Sequence, residues 1–85
     1  MSDTLLLIED DLPLAALTAE FLRAEGFTVA VEHRGDRAAQ RIHEKQPALL
    51  ILDVMLPGMD GFTLCRQIRD HYPGLILMMT ALDFP

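Results

Sequence analysis

An open α/β fold built on a parallel sheet is what this sequence predicts, and three observations predict it. Four short runs rich in apolar residues, at 5–8, 27–31, 49–52 and 75–79, are separated by segments of helical periodicity. Most of these runs are continuous rather than alternating, as in strands buried on both faces by crossover helices. The first and third runs end in acids, Glu9-Asp10 and Asp53. In open α/β sheets the chemistry sits beyond the carboxyl ends of the strands, which is where these acids fall.

Residues 4–8 form the first strand. Asp11 can cap the helix that follows, and Pro13 falls in its first turn, where a missing N–H costs little. This helix is expected to run to about Glu25 and stop at Gly26. Its inward face is expected to be Leu14, Leu17, Phe21 and Ala24, with Leu22 beside them, at spacings of three and four. Residues 27–31 make the second strand. Gly35-Asp36 starts another helix, with Ala38, Ala39 and Ile42 packing inward and Arg37, Arg41 and Lys45 facing water; Pro47 ends it. The third strand covers residues 49–53.

Residues 54–59 read as a strand-to-helix loop shaped by Pro57-Gly58. Asp60 is expected to cap a helix opened at Gly61 and carrying Phe62, Leu64, Cys65 and Ile68, which Pro73-Gly74 break. Residues 75–80 are the fourth strand, with Met78 and Met79 on opposite faces. The alternation of strand and helix describes right-handed crossover units on one sheet. Residues 81–85 read as the start of a loop after that strand. So apolar a strand makes a poor edge. The expectation is a domain truncated after its fourth strand, or one completed by another copy.

Eighty-five residues allow one domain. A content of 51% hydrophobic and 24% charged residues excludes disorder. No apolar stretch approaches the roughly 20 residues of a membrane span, and Met-Ser-Asp-Thr does not begin a signal peptide. A single cysteine, Cys65, excludes an internal disulfide and makes the cytoplasm the default compartment. Thirteen acids against seven bases give a formal charge of −6, and the bases are spread over three helices. Direct binding of nucleic acid by this piece is not expected, because phosphate neutralisation needs a concentrated basic footprint.

If the first and third strands are neighbours, Glu9, Asp10 and Asp53 form one self-repelling cluster. Such a cluster raises carboxylate pKa values or recruits a hard cation, for which Mg²⁺ is the obvious candidate. Other polar residues have plainer readings. Asp11 is a helix cap, and Cys65 beside Leu64 and Ile68 is a small buried hydrophobe. His33, His43 and His71 lie among polar neighbours and read as surface residues.

Three motifs in order carry a resemblance: Leu5-Leu6-Leu7-Ile8-Glu9-Asp10-Asp11, then Leu50-Ile51-Leu52-Asp53-Val54-Met55-Leu56-Pro57-Gly58-Met59-Asp60-Gly61, then Met78-Met79-Thr80-Ala81. They resemble the receiver domain of a bacterial two-component response regulator, close to the winged-helix (OmpR/PhoB-type) subfamily. The resemblance implies a flavodoxin-like (CheY-like) doubly wound sheet of order 2-1-3-4-5, with residues 1–85 as a partial receiver. It implies that Asp53 is the phosphoacceptor, that Asp10 ligates Mg²⁺ directly and that Glu9 reaches it through water. It also implies the Met55 main-chain carbonyl as a further ligand, and Thr80 as the hydroxyl that closes on the phosphoryl group. A receiver also needs a lysine at the end of a fifth strand. The only lysine here, Lys45, falls on the second helix.

By that resemblance the partners are a sensor histidine kinase and, through an output domain, DNA. A homodimer would form through the remaining part of the receiver. Two other functions compete with this reading. A Mg²⁺-dependent phosphohydrolase with an aspartyl-phosphate would need a carboxylate two residues after its nucleophile, where this chain has Met55. A degenerate interaction module would not need Glu9, Asp10, Asp53 and Thr80.

Overall fold

Strand β1 (Thr4–Ile8) is central because every residue from Leu5 to Ile8 is apolar and buried. A computed structural model describes residues 4–53, 55–56 and 59–79, the side chains of 55, 56, 59 and 60 excepted. The elements after β1 are α1 (Leu12–Ala24), β2 (Thr28–Glu32), a 3₁₀ turn (Gly35–Arg37), α2 (Ala38–Lys45) and β3 (Leu49–Asp53). Then come β4 (Met55–Leu56), β5 (Met59–Asp60), α3 (Gly61–Arg69) and β6 (Leu75–Met79). The main sheet is parallel with order β2-β1-β3-β6, so the first and third strands are neighbours as expected.

Local chemistry accounts for several boundaries. Asp11 Oδ1 accepts the Leu14 N–H at 3.0 Å, satisfying one of the free donors at the start of α1. Gly26, at φ +102°, turns the chain out of that helix. Gln46 takes the same left-handed role after α2 at φ 45°. The outer carbonyls of β2, an edge strand, are occupied by guanidinium groups: Arg23 donates to Val29 O at 2.8 Å and Arg41 to Val31 O at 3.4 Å. That blunts the edge against further pairing.

The sheet divides the core in two. On one face Leu6, Ile8, Leu50 and Leu52 pack with Ala38 and Ile42 of α2, Leu64 and Ile68 of α3, and Tyr72. On the other, Leu5, Leu7, Val29 and Ile51 pack with Ala15 and Ala19 of α1. Met78 and Met79 join opposite clusters, as anticipated.

Four expectations need correction. The inward face of α1 is Ala15 and Ala19, with Leu22 packed against the cluster, while Leu14, Leu17 and Phe21 are exposed. Two apolar stripes lie side by side on this helix. The one with alanines lets the backbone sit close over Leu5, Leu7 and Val29. Ala39 is also exposed, because α2 presents only Ala38 and Ile42 to the sheet. The second strand is shifted by one residue from the expected 27–31: it begins at Thr28 and takes in Glu32. The supposed loop at 54–59 is instead folded into a short antiparallel ladder that extends to Asp60, with Met55 opposite Asp60 and Leu56 opposite Met59.

Candidate functional site

The ends of β1 and β3 bring the acids together. Ile8 pairs with Leu52, so the next residues of both strands, Glu9 and Asp53, lie side by side where the ladder ends. Carboxylate oxygens of Glu9, Asp10 and Asp53 all lie within 4.8 Å of one another. Glu9 is 3% and Asp53 8% exposed, which places two of the three acids among apolar strand residues. The Glu9 main chain continues the ladder by donating its N–H to Glu32 O at 2.9 Å. Its Oε2 accepts the Asp11 N–H at 3.2 Å.

Electrostatics follow from that crowding. Burial raises the Glu9 carboxyl to about 7, and the neighbouring Asp53 and Asp10 push in the same direction. The bond from the Asp11 N–H opposes them. A carboxyl held at such a value marks a place where negative charge is in excess. An all-oxygen, anionic donor set of this size suits a hard divalent cation such as Mg²⁺.

The site residues named from the sequence fall into two groups. Glu9, Asp10 and Asp53 converge. Met55 opens β4 two residues beyond Asp53, while its side chain and Thr80 lie outside the described residues, as does the Asp60 side chain expected to cap α3. Lys45 ends α2 and is exposed, so it does not enter the acid cluster. Cys65 is half-buried against the α3-side core. No helix among the described residues is long and apolar enough to cross a membrane.

Two residues beside the cluster were given no functional role from the sequence: Glu32 was not named, and His33 was read as a surface residue. Glu32 is buried at the end of β2, where its Oε2 accepts the N–H groups of His33 and Arg34 at 2.9 and 3.0 Å. Its Oε1 lies 3.8 Å from Arg37 Nε and 3.7 Å from Arg41 Nε. His33 is exposed as expected, yet its Nδ1 lies 2.9 Å from the carbonyl oxygen of Glu9. The signal available was an acid followed by Arg34, Arg37 and Arg41, all within ten residues.

Comparison with known proteins agrees with this geometry. Residues 5–83 match the family model described as the response regulator receiver domain. The transcriptional regulatory protein RstA of Escherichia coli K12 is 42% identical over 81 residues, which cover 95% of this chain and 34% of that protein. The chain thus spans about a third of that relative's length. The BeF₃-activated N-terminal receiver domain of Klebsiella pneumoniae RstA superposes with a TM-score of 0.89 at 43% identity, over 95% of this chain and 69% of that one. The Thermotoga maritima response regulator TrrA, solved in complex with Mg²⁺-BeF, gives a TM-score of 0.87 at 26% identity, over 98% of this chain and 72% of that one.

Proposed function

This chain belongs to the response regulator receiver family, and on that premise we propose that Asp53 is its phosphoacceptor in a Mg²⁺-dependent transfer. The observation that carries the reading is the convergence of three carboxylates on adjacent strand ends, with Asp53 buried among them. Glu9, Asp10 and Asp53, together with the Met55 main-chain carbonyl, would hold the cation. When bound, Mg²⁺ offsets the negative charge of the carboxylate and of the arriving phosphoryl oxygens.

The chain's own residues then have distinct tasks. An Asp53 carboxylate oxygen attacks phosphorus, the bond from phosphorus to the donor breaks, and the product is an acyl phosphate on Asp53. The donor is the phosphohistidine of a sensor histidine kinase or a small acyl phosphate. Asp53 acts as the ionised nucleophile, so no general base is required. Glu9 and Asp10 supply the remaining negative charge that draws the cation into place. The Thr80 hydroxyl donates a hydrogen bond to the phosphoryl group.

By the same reading the whole protein is cytoplasmic. It dimerises through the part of its receiver beyond residue 85 and regulates transcription through a DNA-binding output domain. The test is incubation of the full chain with acetyl phosphate and Mg²⁺, followed by intact-mass measurement. Wild type is expected to gain one phosphoryl group, and Asp53→Asn to gain none. Equal labelling of both would remove Asp53 from the role.

A further inference from the structure

Asp10 lies two residues past Ile8, the last β1 residue of the ladder, so something other than strand pairing must aim its carboxylate. The Glu9 carbonyl and the Asp10 N–H belong to one rigid planar peptide unit. Fixing the Glu9 carbonyl therefore fixes the direction in which the chain enters Asp10. The group on that carbonyl is His33 Nδ1, at 2.9 Å. A carbonyl oxygen only accepts, so Nδ1 carries the proton and donates; the bond holds for the neutral Nδ1–H ring and for the imidazolium alike.

His33 is itself held. Its N–H and that of Arg34 both donate to Glu32 Oε2, and the Glu32 carboxylate is buried between Arg37 and Arg41. The contacts run without a gap from those arginines through Glu32 and His33 to the peptide that leads into Asp10. We infer that His33 is a positioning residue for the acid pocket: by anchoring the Glu9–Asp10 peptide it brings the Asp10 carboxylate to those of Glu9 and Asp53. The inference rests on the reading of that pocket as a divalent-cation site. Glu32 is the brace that makes an exposed histidine side chain dependable.

The probe is Mn²⁺ alone, titrated into the full chain and followed by the electron paramagnetic resonance signal of the free ion. Circular dichroism checks that each variant stays folded, as expected for replacement of an exposed residue. Wild type binds and Asp10→Ala does not. His33→Ala is expected to weaken Mn²⁺ binding about tenfold, in the range of outer-sphere partners of metal ligands. His33→Asn, whose side-chain amide can place an N–H near the position of Nδ1, is expected to restore most of that loss.

Two results overturn the inference while leaving the pocket reading intact. One is a His33→Ala variant that binds Mn²⁺ as tightly as wild type while Asp10→Ala does not bind. The other is a weakened His33→Ala that His33→Asn fails to rescue, which would assign the loss to packing rather than to the hydrogen bond. A wild type that takes up no Mn²⁺, or an Asp10→Ala variant that binds equally well, overturns the pocket reading and this inference with it.

Discussion

On one face of the sheet, α2 and α3 cover β1 and β3 so well that Leu6, Leu50 and Leu52 have no exposure, and even Tyr72 is buried. On the other face, among the described residues, α1 is the helix that covers β1 and β2. There Leu75 is 74% and Leu77 51% exposed on β6, and the outer stripe of α1, Leu14, Leu17 and Phe21, also faces out. The strand sequences do not distinguish these faces, since β6 is apolar on both. The difference teaches that an apolar pattern states where cover is wanted, while burial depends on which element arrives. At the end of the sheet the two faces meet in the acid cluster, which depends on neither cover directly but on the register of β1 against β3.

The largest expected effect separates the faces by mutation. Leu6→Ala should destabilise the chain by about 2–5 kcal/mol, from lost transfer energy plus a cavity that the closed face cannot collapse. Leu77→Ala should cost about 1 kcal/mol or less, because half of its surface is already in water. Urea unfolding of residues 1–85 measures both. Equal losses would break the comparison and show that the α1 face is covered by something outside the described residues.

A smaller effect sharpens the tightness of the closed side. A Cβ added at Gly74 would stand 2.5 Å from Cζ and the hydroxyl oxygen of Tyr72 and 2.8 Å from its Cε1. That ring is buried, and its hydroxyl donates to Leu75 O at 3.1 Å, so it cannot simply swing away. Gly74→Ala should therefore cost about 1–3 kcal/mol, the usual range for overpacking. Thermal unfolding would show it, and an unchanged midpoint would mean that the closed face has slack.

A third effect belongs to the edge where the faces meet. Glu9 binds its proton at about 7 in the fold and near the ordinary 4.5 when unfolded. Between those values the folded chain holds more protons than the unfolded chain, so metal-free stability falls as pH rises through that window and levels off above it. Glu9→Gln cannot ionise and should flatten that slope. Urea midpoints collected from about pH 5 to about pH 8 test the linkage. A wild-type stability that rises over the same window would contradict the crowding assigned to the cluster.

Much of this molecule was legible because it depends on neighbours in sequence. The run of apolar residues in β1 and β3, the Asp11 cap and the turn at Gly26 are local, and each appears where the residues put it. The three carboxylates were legible as strand-end groups, and their roles as acceptor and ligands came from the resemblance carried by the motifs around them. Other features depended on partners distant in sequence. Helix α1 carries two adjacent apolar stripes of similar spacing, and only the close approach of Ala15 and Ala19 to Leu5, Leu7 and Val29 decided which one turned inward. Glu32 joined β2, and His33 reached the Glu9 carbonyl, because β1 lies beside them in the sheet. Hydrophobic periodicity records that a face is apolar, but the choice among apolar faces, and the hydrogen bonds made across strands, are settled by packing.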